Sequence, residues 1–267
     1  MISQKRTRFK DLHVIRFYSS YVIISNGKVV SVTDPEMSYC PLANHLYRGL
    51  KLHGDSDFFK EAIKKAVELK ISRFGHFTEK RRILRKGIAI PYGASEILMY
   101  AMRKNVIDAA VVACDGAGTV VSDRPDVVQG IGARMNGLFY TTPIGGVIRE
   151  LKRSGALVAF KDGGINQAGG VTRAASAGYK DIAVTVNASM DEPFRTLRQM
   201  EKRYGISLTI LAICTTGIHA QRVKEIGRYA DLVWSCASDE VRTLIGRKSL
   251  IQLSRKIPVF ALTGKGL

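Results

Sequence analysis

The sequence predicts an α/β protein: a doubly wound, mostly parallel sheet of about six strands, preceded by a small α+β region that contains a β-hairpin. From residue 93 onward, short aliphatic runs alternate with helical patterns, and glycine marks several turns from helix to strand. The runs are continuously apolar, which is typical of parallel strands buried on both faces. A (β/α)8 barrel is the alternative, but about six strands in this length fit an open sheet better.

The predicted hairpin lies near the start of the chain. Segments 21–24 and 28–33 flank Ser25-Asn26-Gly27, and an Asn-Gly pair suits the positive-φ turn of a hairpin. Apolar residues recur at helical spacing over 57–70, behind a capping Asp55 or Ser56. We therefore expect two regions, a lead-in over 1–90 and the α/β sheet region over 91–267.

The second region supplies the predicted sheet. Strands are expected over 109–113, 157–160, 181–186, 208–213, 231–235 and 258–262. Helices are expected before them, over 95–104, 143–153, 170–177, 191–204, 218–229 and 238–254. The glycine-rich span 115–137 is expected to be a loop.

The charge of the chain is strongly basic. Lysine and arginine number 41 against 23 aspartates and glutamates, a formal net charge of +18. Such a field favours anionic partners, namely nucleic acid, a phosphorylated or carboxylated cofactor, or an acidic protein surface; the alternative is a solubility feature. The polar, basic N-terminus does not resemble a secretory signal, and no apolar run approaches the ~20 residues that cross a bilayer. A cytoplasmic protein without membrane association is expected.

Chemistry-bearing residues follow four of the predicted strands. The four segments are Cys114-Asp115-Gly116-Ala117-Gly118-Thr119, Cys214-Thr215-Thr216-Gly217, Cys236-Ala237-Ser238 and Thr263-Gly264-Lys265-Gly266. Right-handed crossovers keep parallel strands pointing the same way, and ligands bind beyond their carboxyl ends. We therefore expect one pocket shared by Cys114, Asp115, Thr216, Cys236 and Lys265.

Exposed amides, hydroxyls and a lysine favour an anionic small molecule or cofactor in this pocket. The expected ligand-binding residues are Gly116, Gly118, Thr119, Arg134, Thr215, Thr216, Gly217, Thr263, Gly264 and Lys265. Ordinary turn glycines and helix-capping threonines are the simpler alternatives. Gly130-Ile131-Gly132 lacks the third glycine of a dinucleotide fingerprint, so a Rossmann site is rejected.

If the protein is an enzyme, Asp115 is the acid–base candidate and Cys114 the nucleophile. The four cysteines, Cys40, Cys114, Cys214 and Cys236, have no CxxC spacing and are expected to be thiols or metal ligands rather than disulfides. Zinc or an iron–sulfur cluster would suit four such thiolates. The alternative is that they are small hydrophobic residues of the core.

The densest basic cluster consists of Lys80, Arg81, Arg82, Arg85 and Lys86. It is a candidate surface for docking an acidic protein or for contacting a phosphate backbone, and a solvated basic face is the alternative. Nearby aromatic residues form no obvious stacking platform, so a nucleic-acid-binding module is not favoured.

Several sequence blocks together resemble the methanogenesis marker protein 8 family. They are Tyr39-Cys40-Pro41-Leu42, Gly93-Ala94-Ser95-Glu96-Ile97-Leu98, Cys114-Asp115-Gly116-Ala117-Gly118-Thr119-Val120 and Gln129-Gly130-Ile131-Gly132-Ala133-Arg134, extended by Thr141-Thr142-Pro143, Gly178-Tyr179-Lys180, Thr215-Thr216-Gly217 and Pro258-Val259-Phe260-Ala261-Leu262.

The resemblance implies an accessory role in methanogenesis, in the maturation or regulation of methyl-coenzyme M reductase, with that enzyme or its maturation machinery as partner. It supplies no catalytic residues. The alternatives are an enzyme of unknown reaction in cofactor metabolism, a metal- or iron–sulfur-binding redox protein, and a nucleic-acid-binding module.

Overall fold

The chain forms two sheets and seven α-helices over the residues that the computed structural model describes, which are 11–35, 56–84, 91–192, 194–255 and 257–267. The strands are β1 (His13–Phe17), β2 (Ser20–Ser25), β3 (Lys28–Val32), β4 (Ala109–Cys114), β5 (Gly118–Ser122), β6 (Gly137–Thr141), β7 (Leu157–Val158), β8 (Asp181–Asn187), β9 (Ser207–Ile213), β10 (Leu232–Trp234), β11 (Ile251–Gln252) and β12 (Val259–Ala261). The helices are α1 (Ser56–Phe74), α2 (Ala94–Arg103), α3 (Pro125–Gly132), α4 (Gly145–Arg153), α5 (Gln167–Ser176), α6 (Phe194–Tyr204) and α7 (Ala220–Tyr229).

The small sheet is antiparallel, in the order β3-β2-β1-β6. The predicted hairpin is confirmed as β2 and β3, with Asn26 and Gly27 both at positive φ in the turn. Helix α1 covers one face through Phe59, Ile63 and Val67. Because β6 comes from the 91–267 region, this sheet crosses the predicted division at residue 90.

The large sheet is mixed, in the order β11-β12-β10-β9-β8-β4-β5-β7. Strands β10, β9, β8 and β4 are parallel neighbours, while the strands outside them on both sides are antiparallel. Four of the six predicted strands therefore form the parallel centre. The α/β class holds, but the sheet is not mostly parallel throughout.

Helices cover both faces of the large sheet. Helices α5, α6 and α7 pack against one face, and α2, α3 and α4 against the other. Strand β4 shows the alternation directly, since Ala109 and Val111 belong to the first core while Ala110 and Val112 belong to the second. Burial on both faces explains its uninterrupted apolar run.

The C-terminal strand runs opposite to the prediction. The predicted helix over 238–254 is instead a π-helical turn (Val241–Ile245), a 3-10 turn (Gly246–Lys248) and β11. A parallel return needs a crossover of a dozen or more residues, usually a full helix. The segment between β10 and β11 makes such a return, because β11 runs in the same direction as β10. The chain then turns back directly from β11, and β12 lies between the two strands and pairs antiparallel with both.

The structure differs from two further predictions about the strands. The predicted strand 157–160 is only the two-residue β7, antiparallel to β5 at the sheet edge. Strand β5 itself lies within the span that was expected to be a loop, because Gly116 and Gly118, both at positive φ, turn the chain into a tight hairpin. No helix in the described part of the chain is long and apolar enough to span a bilayer.

Candidate functional site: a crevice at the carboxyl ends of the parallel strands

A crevice opens where the four parallel strands end. Its floor is lined by residues near the ends of these strands: Val112 and Ala113 of β4, Thr185 and Asn187 of β8, Ile213 of β9 and Trp234 of β10. The carboxyl edge of parallel strands is the usual ligand position in α/β sheets. The predicted location of the site therefore contains a crevice.

The crevice has room for one small molecule. Its volume is about 190 Å³, and an apolar cavity of about 150 Å³ already admits benzene. The walls are mostly apolar and come from the first half of α2, from α3, from β6 and the segment before it, and from the segment after β8. They include Leu98, Val128, Ile131, Met135, Leu138 and Met190. Such a lining with a few polar groups is typical of small-molecule sites.

Two of the predicted metal ligands, Cys214 and Cys236, lie on this crevice. Cys214 follows β9 at φ 58, a left-handed conformation that is uncommon for a residue with a side chain. A Cβ at Gly137 would lie 3.0 Å from Cys214 Sγ, so glycine at the start of β6 makes room for the thiol. The thiol is therefore held against the wall that β6 provides.

The ends of β9 and β10 are joined by one hydroxyl. Thr215 Oγ1 donates to the carbonyl of Trp234 at 2.5 Å and accepts from the backbone N–H of Cys236 at 3.2 Å. Thr215 is buried, so this predicted ligand-binding residue holds the two strand ends together.

Two carboxylates also line the crevice. Glu192 lies in the segment after β8, and its Oε1 accepts a hydrogen bond from Gln167 N, at the start of α5, at 2.6 Å. Its Oε2 is buried and has no hydrogen-bond partner among the described residues. Burial raises the pKa of Glu192, although hydrogen bonds from the Gln167 and Ala168 amides oppose that shift.

Glu96 is the second carboxylate, in the first turn of α2. Its side chain is buried, with Oε2 accepting from Ser95 Oγ at 2.9 Å and Oε1 accepting from Gln129 Nε2 at 3.3 Å. Helix N-termini carry a partial positive charge, which makes them anion sites. Here, the protein's own carboxylates already lie at the starts of α2 and α5.

No lysine, arginine or histidine is among the described residues that line the crevice. The described lining therefore does not itself supply the positive charge that an anionic ligand needs, and the anionic ligand stays a prediction.

Arg222 of α7 shapes the segment that carries Glu192. Its Nε donates to the carbonyl of Ala188 at 3.1 Å, and its Nη2 donates to the carbonyls of Met190 at 2.6 Å and Glu192 at 2.8 Å. Glu225 accepts from Nη1 at 2.6 Å. One guanidinium thus fixes the turn of residues 188–192 and so the position of the Glu192 carboxylate.

Asp115, the expected acid–base residue, lies in a buried ion-pair cluster away from the crevice. Its Oδ1 accepts from Arg81 Nε at 3.1 Å, and its Oδ2 accepts from Phe77 N at 2.9 Å and lies 3.2 Å from His76 Nδ1. Burial alone would raise the pKa of Asp115, but the charges of Arg81 and His76 outweigh it and hold the pKa far below its usual range. A carboxylate that stays ionised in this way does not suit acid–base catalysis.

Cys114 does not suit the role of a nucleophile. Its side chain is buried in the core beneath α3 and α4. Burial raises the pKa of the Cys114 thiol well above its usual value, and the nearby Asp115 charge adds to the shift. The reactive form of cysteine is the thiolate, which this environment disfavours.

A thiolate metal site is not formed by the described residues. No group of three or more histidine, cysteine, aspartate or glutamate side chains within them is arranged to hold a metal ion. Cys114 lies in the core and Cys214 and Cys236 on the crevice, while Cys40 lies outside the described residues.

The glycine-rich hairpin after β4 uses its own polar groups internally. The Gly116 N–H donates to Thr141 Oγ1 at 2.8 Å, and Thr119 Oγ1 donates to Gln167 Oε1 at 2.9 Å. Gly118 packs so closely that a Cβ there would lie 2.3 Å from the carbonyl oxygen of Gly163. These three predicted ligand-binding residues serve the packing of β5 rather than the crevice.

Three other expected ligand-binding residues lie near the crevice without lining it. The guanidinium of Arg134 lies over the ring of Phe74, 5.0 Å from its centroid. The carbonyl of Thr216 accepts from Arg16 Nη1 at 3.0 Å, and Gly217 lines a separate polar depression beside Arg16.

The C-terminal segment lies at the opposite edge of the sheet, because β12 is antiparallel to β10. Thr263 Oγ1 donates to Asp231 Oδ1 at 2.5 Å, and Lys265 Nζ donates to Glu201 Oε1 at 2.8 Å. Gly264 begins the final 3-10 turn between them. The prediction that Lys265 shares one pocket with Cys114 and Cys236 is therefore wrong.

The predicted docking cluster is divided by burial. Lys80 and Arg82 are exposed, whereas Arg81 is buried against Asp115. Arg85 and Lys86 lie outside the described residues. Any docking surface here consists of the exposed members, since the Arg81 charge is already neutralised inside the fold.

Glu192 was missed in the sequence. It follows the predicted strand 181–186 by a few residues, in Asp191-Glu192-Pro193, and a strand-end acid of this kind satisfies the same rule that singled out Cys114 and Cys214. The capping of α5 by Glu192 joins residues 25 positions apart, a relationship that no local pattern reveals.

The fold and crevice define a mixed α/β protein with a small-molecule-sized site at its strand ends. Residues 13–267 match the family described as "uncharacterized protein conserved in archaea (DUF2099)", and the chain belongs to this family. It is also 37% identical over 262 residues to "uncharacterized protein MJ0054" of Methanocaldococcus jannaschii, covering 96% of this chain and 88% of that protein. No solved structure matches the chain.

Proposed function

We propose that this protein binds one small, largely apolar molecule in the crevice at the carboxyl ends of β4, β8, β9 and β10. The observation that carries the proposal is the volume of about 190 Å³, lined mainly by apolar side chains, at the edge where α/β sheets hold their ligands. The few polar groups on the walls would orient the molecule.

We further propose that binding serves an accessory role in methanogenesis, in the maturation or regulation of methyl-coenzyme M reductase in the cytoplasm. Two observations support this role: the sequence blocks resemble the methanogenesis marker protein 8 family, and the chain is 37% identical to a protein of the methanogen Methanocaldococcus jannaschii. On this proposal, binding of the small molecule in the crevice controls how the protein acts on the partner enzyme.

The binding proposal is tested by filling the crevice. Cys236→Phe places a ring among the lining residues, whereas Val106→Phe adds the same ring at a position that is 63% exposed. Each protein is purified from an archaeal host, and its extracted small molecules are identified by mass spectrometry. We expect wild type and Val106→Phe to carry the same compound and Cys236→Phe to lose it; equal amounts in folded Cys236→Phe protein would reject the proposal.

The partner proposal needs a separate experiment. Tagged protein is captured from a methanogen, and copurifying subunits are quantified by mass spectrometry. We expect methyl-coenzyme M reductase or its maturation proteins to be enriched, and enrichment to fall in a Lys80→Glu, Arg82→Glu double variant. The matched control is Lys202→Glu with Arg203→Glu, two exposed residues near the end of α6. The absence of the enzyme and its maturation proteins would reject the role.

A further inference from the structure

We infer that the crevice recognises its ligand through a hydrogen-bond acceptor, such as a carbonyl oxygen, which accepts a hydrogen bond from the side-chain Nδ2 of Asn136. The inference rests on the proposed function, because it names the polar group of the ligand for the same crevice. Asn136 lies directly before β6 and is half-buried.

The first observation is how the carboxamide side chains of the crevice are bonded. Among the described lining residues they are Asn136, Gln167 and Asn187. Gln167 Oε1 accepts from the Thr119 hydroxyl at 2.9 Å, and its Nε2 donates to a backbone carbonyl at 2.5 Å. Asn187 Oδ1 accepts from a backbone N–H at 3.1 Å, and its Nδ2 donates to the Leu138 carbonyl at 3.3 Å. Both of these side chains are therefore already bonded to the protein at both ends.

The carboxamide of Asn136 is bonded at one end. Its Oδ1 accepts a hydrogen bond from Lys70 Nζ, whereas its Nδ2 has no hydrogen-bond partner among the described residues. Nδ2 is not one of the fully buried polar atoms that lack a partner, so a bound molecule can reach it. The amide nitrogen carries two N–H donors, and an acceptor on a ligand can pair with them without breaking a bond within the protein.

Lys70 sets the direction of that donor. In its ammonium form it has three N–H donors and no acceptor, so it binds the oxygen of the carboxamide and not the nitrogen. Lys70 is buried and is not among the described residues that line the crevice. The planar amide therefore has Oδ1 on the Lys70 side and Nδ2 on the other side. Because Asn136 itself lines the crevice, Nδ2 is the end that faces a bound molecule.

Lys70 also prepares the donor before a ligand arrives. It donates a second hydrogen bond to the Arg134 carbonyl at 2.9 Å, which fixes the segment that leads to Asn136. A donor that is held in place loses little freedom on binding, which favours affinity. A hydrogen bond from a cation to Oδ1 also polarises the amide and strengthens Nδ2 as a donor.

Two probes of matched shape test the inference: acetophenone, which carries a carbonyl group, and ethylbenzene, in which a methylene group replaces it. Binding to the full-length protein is measured by titration calorimetry at pH 6, because Lys70, with a pKa of about 7, is mostly charged there. Asn136→Asp keeps the shape and the acceptor for Lys70 but replaces the Nδ2 donor with an oxygen. We expect it to weaken acetophenone binding by roughly fivefold or more and to change ethylbenzene binding by less than about twofold.

The matched control is Asn105→Asp, the same substitution at an exposed position outside the crevice lining. It should leave both affinities within about twofold. A second measurement uses the wild-type protein alone. The NMR signal of the Asn136 side-chain NH2 group should shift more on addition of acetophenone than on addition of ethylbenzene, and this signal decides if Asn136→Asp does not fold.

The outcomes separate the inference from the proposed function. Equal losses for the two probes in folded Asn136→Asp protein, or an Asn136 signal that acetophenone does not move, would overturn the inference. It would also be overturned if wild type failed to bind acetophenone, or if the compound that copurifies with it had no acceptor atom. In each of these cases, a copurified compound that is lost from Cys236→Phe still supports the proposed function.

Discussion

Arg81 Nε donates a hydrogen bond to Asp115 Oδ1 at 3.1 Å, and neither side chain is exposed to solvent. The Arg81 Nη2 group also donates to the carbonyls of Gly130 and Ile131 in the last turn of α3, where a positive charge is favoured by the helix dipole. The pair therefore ties the segment after α1 to the β4–β5 turn and to α3. It joins the two sheets through charge as well as through apolar packing.

Replacing Arg81 should destabilise the protein strongly. Arg81→Gln leaves the Asp115 carboxylate buried without its main positive partner, and breaking such a pair costs about 3–5 kcal/mol. Arg82→Gln is the matched control, since Arg82 is exposed and its loss should change the free energy of unfolding by about 0.5 kcal/mol or less. Urea unfolding of both variants measures the difference, and similar midpoints would contradict the role assigned to Arg81.

Lys70 should make stability depend on pH. Its Nζ donates to the Arg134 carbonyl at 2.9 Å and to Asn136 Oδ1. Burial, with a smaller contribution from the Arg134 charge, lowers the pKa of Lys70 from 10.5 to about 7. Between these two values the unfolded chain binds more protons than the folded one, so the free energy of unfolding should rise with pH.

The variant Lys70→Met isolates this effect. It should flatten the rise in stability between pH 7 and pH 10 and stabilise the protein most, relative to wild type, below pH 7. Lys65→Met, at an exposed position on the same helix, should leave the slope unchanged. The measurement is urea unfolding across this pH range, and parallel curves for wild type and Lys70→Met would refute the assignment.

The β4–β5 turn should tolerate no side chain at Gly118. Gly118 and Gly155 both have positive φ, so alanine at either position costs about 1–2 kcal/mol in backbone strain. A Cβ at Gly118 would also lie 2.3 Å from the Gly163 carbonyl oxygen, whereas one at Gly155 meets nothing within 4 Å. We expect Gly118→Ala to cost about 2–5 kcal/mol in total. Equal thermal midpoints for the two variants would show that the turn relaxes freely.

The cysteines should differ in reactivity. Cys114 is buried and its thiol pKa is raised by burial, while Cys214 and Cys236 are half-buried on the crevice. Iodoacetamide, followed by peptide mass spectrometry, should therefore modify Cys214 and Cys236 in the native protein and Cys114 only after unfolding. Modification of Cys114 at the same rate as the other two would mean that the core opens readily there.

Local patterns in the sequence predicted much of the scaffold. The Asn26-Gly27 turn and the apolar runs of β4, β8, β9 and β10 were found because their signals lie within a few neighbouring residues. The direction of β12 was not found, since an apolar run carries no information on which way a strand pairs. Helix α3 was missed because its glycines resemble those of a turn.

The sequence predicted the position of the site but not the set of side chains that line it. Strand ends indicated the correct edge for Cys214 and Cys236, whereas the charges there depend on distant partners. Asp115 is neutralised by Arg81, which lies 34 residues away in a cluster that looked like a surface patch. Packing of the folded chain decides which side chains line the crevice and which are buried in the core. The spacing of residues in the sequence does not contain that information.

The pairing of β6 with β1 has a consequence for synthesis of the chain. His13 and Thr141, which are hydrogen-bonded in the folded protein, are 128 residues apart. At typical rates of translation, the nascent hairpin waits on the order of ten seconds before its partner strand emerges. During that time one edge of β1 is open to pairing with other chains, which is a hazard for any strand edge. Changes that slow elongation between these strands should therefore lower the yield of soluble protein even where the finished fold is untouched.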